Sequence, residues 1–255
     1  MYYFFPDFAY GPVLTHLTLH LIVGMGAYSL VFRTKLFNVL LKNPLVPPFL
    51  SLPAVTLVFI AGLLAAQIWQ TSGHAQTALS DEKRALSRIY HSVVEPQELR
   101  LALRTGTESY VSLVREIEWG RNRNQYPAAE VERALVDLGV MLRASSARTN
   151  EAAAAAQATR DLLRDLDILE NAREKRLELG GRARFGYIST WTILYFMLLI
   201  SAISVAAVHR PYPHTAAVAL CLYCFSMAML FSIIALSIHP YQGPNALPPA
   251  SLVVK

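Results

Sequence analysis

Apolar residues along this chain occur in two patterns. Val13 to Phe32 runs for twenty residues without a charge. A helix of that length rises about 30 Å, the thickness of a bilayer's hydrocarbon core. Leu52 to Trp69, Phe185 to Val208 and Pro211 to Ile238 are three further uncharged spans. Pro53 suits the first turn of the second span, with Ser51 as its cap. The link His209-Arg210-Pro211-Tyr212-Pro213 is short enough to force the last two spans into an antiparallel pair. The first span does not read as a cleavable signal peptide, because it lacks a basic start and a small-residue cleavage site and Arg33 follows it directly.

Between the second and third spans, residues 70–184 change to helical stripes. Leu79, Leu86, Ile89, Tyr90 and Val93 recur at gaps that fit one helix face, and Pro96 ends that helix. Continuous from Pro53 to Val94, it would be about 60 Å long. Leu99, Leu103, Tyr110, Leu113, Val114 and Ile117 form a second stripe, and the polar run Gly120 to Gln125 breaks the chain. Pro127 starts a third helix with Val131, Leu135, Leu138 and Leu142 as its stripe; Ser145, Ser146 and Asn150 mark a turn. The fourth starts at Glu151, buries Leu162, Leu166 and Leu169, and places the basic run Arg173 to Arg176 at the negative end of its dipole. Gly180-Gly181 is the expected joint before the third span.

The pattern predicts an all-α membrane protein: four transmembrane helices, with a helical-bundle domain between the second and third. The expected organisation is 1–69 for the first helix pair, 70–184 for the charged bundle, and 185–255 for the second pair with a short tail.

Composition agrees. Hydrophobic residues make up 54%, charged residues 16%, and mean hydropathy is +0.34; an ordinary soluble domain has about 25% charged residues. Of 41 charged residues, 35 lie between Asp81 and Arg184, 18 basic and 17 acidic. The net charge of +5 therefore comes mostly from short loops, which leaves no basis for nucleic-acid binding. Pairs three apart, Glu130–Arg133, Asp161–Arg164 and Glu170–Arg173, fit solvated helix faces.

An even number of spans puts both termini and residues 70–184 on one side. Nine basic residues flank the spans there, against Arg33, Lys35, Lys42 and Arg210 on the other. That bias predicts cytoplasmic termini and a cytoplasmic bundle.

The chain has no P-loop, dinucleotide fingerprint or nucleophile elbow, and its spans carry no Asp, Glu, Lys or Arg. An enzyme is not expected, and no catalytic residue, metal or cofactor is assigned. His16 and His20, one turn apart, read as polar contacts rather than metal ligands. Cys221 and Cys224 form a CxxC inside an apolar helix and read as buried packing. Trp69, Tyr187 and Trp191 read as interfacial anchors. Phe59, Leu63 and Gln67 share one face of the second span and are the pore-lining candidates, since apolar rings from several copies can gate by dewetting. Gly62 would permit close helix approach.

This layout, two spans, a polar helical region of about 115 residues and two more spans, resembles the bestrophin-like family of bacterial membrane proteins. The likeness covers about Pro53 to Gly243. Its local marks are Gly62-Leu63-Leu64 leading to Trp69, and Asp81-Glu82 with Leu86 and Tyr90 downstream. Arg173-Glu174-Lys175-Arg176-Leu177 is similar to the family's basic run, and His239-Pro240-Tyr241-Gln242-Gly243 to its closing acid-x-Pro-Phe-x-Gly motif. His239 stands where the family has an acid, and Ala65 and Ala66 where it has aromatics.

The resemblance marks Trp69, Arg173, Arg176, His239, Pro240 and Gly243 as motif positions. By likeness to bestrophins proper, it implies a pentameric anion channel of the bacterial inner membrane, a homo-oligomer in the lipid bilayer with the second span around the pore. Two other readings stay open. One is a non-enzymatic accessory or scaffold subunit whose residues 70–184 dock a protein partner, and the other is a membrane sensor module.

Overall fold

A computed structural model describes residues 11–40, 47–94, 97–148, 153–185 and 188–252. Among them there is no strand. The helices are α1 (Gly11–Arg33), α2 (Lys35–Leu40), α3 (Pro47–Tyr90), α4 (Gln97–Leu113) with a π-helical continuation (Val114–Arg121), α5 (Ala129–Arg148), α6 (Ala153–Phe185), α7 (Ile188–Val208) and α8 (Pro213–Ser237), followed by a 3₁₀ turn (Pro249–Leu252). Four of them, α1, α3, α7 and α8, are long and apolar enough to cross a membrane. The protein is an all-α, multi-pass membrane protein.

The chain divides into two compact units. The first holds residues 1–69 and 186–238, the second 70–185 and 239–255. In the first unit α1 buries His16, His20, Gly24, Ala27 and Val31, spaced three or four apart so that all share one face. That face packs on α8 and α7, which also pack on each other. Ala27, Val31, Ala202, Ala206 and Leu220 form one tight cluster there. Small residues suit this place, because helix association in lipid depends on close backbone approach rather than on a hydrophobic drive. A Cβ added at Gly24 would lie 2.9 Å from the Cys224 sulfur, so a larger residue there would make that side chain shift.

In the second unit the stripes converge. Leu79, Leu86 and Ile89 of α3, Leu103 and Tyr110 of α4, Val131, Leu135, Leu138 and Leu142 of α5, and Leu162, Leu166 and Leu169 of α6 build one core. Tyr241 and Leu252 of the tail belong to the same core, which is why residues 239–255 group with the bundle.

Several expectations need correcting. The second span's helix starts at Pro47, so Pro53 lies inside it and not in its first turn; its missing N–H leaves one carbonyl of the preceding turn without an intrahelical partner. The same helix ends at Tyr90, which turns Val93 out to solvent and brings Val94 in. Helix α5 continues through Ser145 and Ser146. Helix α6 passes through Gly180-Gly181 without a break and ends at Phe185, so Arg173 to Arg176 lie mid-helix, far from its dipole's negative end. Pro96, Asn150, Glu151 and Tyr187 fall outside the described residues.

Candidate functional site

The second unit encloses an ion-pair cluster whose four charged residues come from three segments. Glu82 comes from α3, Glu118 from the π-helical continuation, and Arg173 and Arg176 from α6. Each is buried. The Arg176 guanidinium donates to both oxygens of Glu82, from Nε at 2.8 Å and from Nη2 at 3.2 Å. Its Nη2 also donates to Glu118 Oε2 at 2.8 Å, and its Nη1 donates to Asn124 Oδ1. Arg173 donates to Glu118 Oε1 from Nε at 3.1 Å and from Nη2 at 2.6 Å. The Ala128 backbone N–H adds a third donor to that oxygen at 3.2 Å. Tyr110 donates its hydroxyl to Glu82 Oε1 at 3.0 Å.

Two carboxylates thus meet two guanidiniums and the sum of charge is zero. Burying ions is costly unless each is paired and its remaining hydrogen-bond capacity is filled; here the fork geometry of arginine does both. Aromatic rings close the cluster. The Arg176 guanidinium carbon lies 5.1 Å from the Trp119 ring centroid, a cation–π distance. Tyr241 meets Trp119 edge-on at 5.5 Å between centroids. Burial alone would lower the Arg176 pKa, but Glu82's charge and hydrogen bonds, with Tyr110 and Glu118, raise it above the usual guanidinium value. Burial, then the Glu82 charge, holds the Tyr110 phenol well above the usual tyrosine range.

The local backbone explains how Glu118 and Trp119 both point inward. In a π-helix each bond reaches back five residues, and the Asn122 N–H bonds the Ile117 carbonyl at 2.7 Å. Within this wider turn Val114, Glu118 and Trp119 are all buried. Arg123 and Asn124 then take left-handed φ values of 51° and 56°, and the Asn124 N–H bonds the Glu118 carbonyl at 2.6 Å. The loop so formed presses on α6. A Cβ at Gly180 would lie 2.0 Å from the Asn124 carbonyl oxygen. Gly180 therefore serves a close approach, not a joint.

Three of the motif segments meet here: Glu82, the Arg173/Arg176 pair and Tyr241. The pairing of Arg173 with Glu170 expected from spacing gives way to Glu118. His239 is half-buried, and burial lowers its pKa below the usual histidine value. Pro240 is buried and its carbonyl accepts the Leu247 N–H at 2.9 Å. Gly243 has φ 93°, a left-handed turn that favours glycine. Gln242 donates to the Arg123 carbonyl at 2.9 Å, tying the tail to the same loop. Sequence reasoning missed Glu118, Trp119 and Asn124, since a buried acid inside a π-turn has no periodic signature.

In the first unit, α3 buries Leu57, Ala61, Leu64 and Ile68 and exposes Phe59 at 65%, Leu63 at 57% and Trp69 at 64%. Gln67 is exposed beside them. The three pore candidates therefore lie together on an exposed face, and the space beside Gly62 is open. His16 and His20 are buried; His16 Nδ1 lies 2.5 Å from the Tyr195 hydroxyl, and His20 Nδ1 lies 2.7 Å from the His16 carbonyl. Phe231 meets both histidine rings edge-on. Of the two cysteines only Cys224 is buried; Cys221 is exposed, against the expectation for both.

A family model described as the bestrophin-like domain matches residues 20–252. No curated protein and no solved structure matches the chain.

Proposed function

The chain belongs to the bestrophin-like family, and on that premise we propose that it is a homo-oligomeric membrane ion channel, passing anions through a pore lined by α3. The observation that carries this reading is the exposed face of Phe59, Leu63 and Gln67 on an uncharged span. Symmetric copies would bring these side chains into rings about a shared axis. Rings of Phe59 and Leu63 form an apolar constriction that opens by wetting, and Gln67 supplies a polar amide at its edge. A pentamer is the stoichiometry that likeness to bestrophins favours. The excess of basic residues flanking the spans on one side supports a cytoplasmic bundle and cytoplasmic termini in a bacterial inner membrane. The protein acts as a conduit in this reading, not as an enzyme.

Reconstitution of the purified oligomer in planar bilayers tests it. Conductance is expected, Phe59→Ala and Leu63→Ala should raise it, and Gln67→Glu should shift selectivity toward cations. A clean oligomer without conductance overturns the proposal. Recovery of a second protein with residues 70–184 in that case gives the scaffold reading.

A further inference from the structure

An apolar groove of about 430 Å³ runs between α1 and α8. Leu21, Met25, Leu220 and Cys221 line its length, and Ser29 and Arg33 stand at one end. Its floor is closed where Gly24 meets Cys224. From Leu21 to Arg33 α1 rises about 18 Å, close to the roughly 15 Å of one leaflet's hydrocarbon. The groove is thus apolar over one leaflet's depth and cationic at the level where headgroups begin.

Among the described residues of the first unit there is no Asp or Glu to pair with the charge at that end. Asp7 is the only Asp or Glu in residues 1–69 and 186–238, and it precedes the opposite end of α1. Arg33, Lys35, Lys42 and Arg210 are the basic residues of the same stretches. Arg33 is exposed, while Arg210 donates to the Phe37 carbonyl at 3.3 Å.

We propose that this groove binds one anionic phospholipid, with an acyl chain laid along α1 and α8 and its phosphate held by Arg33. The apolar length supplies affinity for any acyl chain. Arg33 supplies the preference for negative charge, because one basic residue at a membrane surface favours an anionic headgroup about five-fold. Ala217, which also lines the groove, is a small side chain whose enlargement would fill it.

The full chain in detergent can be titrated with phosphatidylglycerol, phosphatidylcholine or inorganic phosphate while its thermal midpoint is followed. Phosphatidylglycerol should raise the midpoint at a concentration about five-fold lower than phosphatidylcholine, and inorganic phosphate should not raise it. Arg33→Gln should abolish the preference and keep the response that both lipids share, while Ala217→Phe should weaken the response to both. Alkylation of Cys221 by a membrane-soluble maleimide gives a readout in the unaltered chain, and phosphatidylglycerol should slow it. Equal response to the two lipids, a midpoint raised by phosphate alone, an Ala217→Phe chain that responds fully, or an unprotected Cys221 overturns the proposal.

Discussion

Arg176 grips both carboxylate oxygens of Glu82, at 2.8 and 3.2 Å, with neither side chain reaching solvent. The pair is separated by 94 residues in sequence, so it fastens α3 to α6 at a point where an unpaired charge would be intolerable. Arg176→Met would leave Glu82 without a cation and Glu118 with only Arg173. The expected loss is about 3–5 kcal/mol, read as a large drop in the thermal midpoint of the purified protein. Glu82→Met combined with Arg176→Met should lose less than the sum of the two single changes. Additive losses would mean that the two side chains do not act on each other.

Adjacent glycines of α6 should respond oppositely to the same substitution. Gly180→Ala forces its Cβ onto the Asn124 carbonyl and must displace the loop that carries Asn124, so the midpoint should fall sharply. Gly181→Ala meets only the Gln125 carbonyl at 3.5 Å, an ordinary contact. There the better helix propensity of alanine should stabilise by up to about 1 kcal/mol. Equal effects would contradict the close approach at Gly180.

His239 gives the bundle an acid sensitivity. Its folded pKa is lowered by burial, so the unfolded chain binds the proton more readily. Stability is therefore complete above the unfolded value of about 6.5 and falls as pH drops below it toward the folded value. Thermal midpoints measured at about pH 7.5 and about pH 5.5 should differ more in the native protein than in His239→Gln. A pH response unchanged by that substitution would remove His239 as its source.

The His16–Tyr195 contact at 2.5 Å joins α1 to α7 inside the apolar unit. Tyr195→Phe deletes the hydroxyl and leaves the buried imidazole short of a partner, at a cost of about 1–3 kcal/mol. Tyr195→Phe with His16→Leu should recover most of it, which a melting series of the three variants checks.

The sequence by itself determined the class of this protein. Spans are legible because lipid tolerates no charge over a helix's length, and Val13 to Phe32 shows that without any partner. Val131, Leu135, Leu138 and Leu142 were legible because the helical period is a local property, and all four are buried in the core. Likewise the segments around Glu82, Arg173, Arg176 and Tyr241 carry the family's order along the chain.

Tertiary structure alone decided which charges leave water. Arg173 has an acid three residues before it in Glu170, and spacing favours that pair; the fold instead gives it Glu118, from a different helix. Whether an acid faces solvent or the core depends on the register at which its helix meets its neighbours, and the π-turn at Val114–Arg121 resets that register. Gly180 likewise looks like a joint in sequence, because a missing side chain reads the same whether the backbone must bend or a neighbour must come near. Only the position of the Asn124 carbonyl shows that here it is the neighbour.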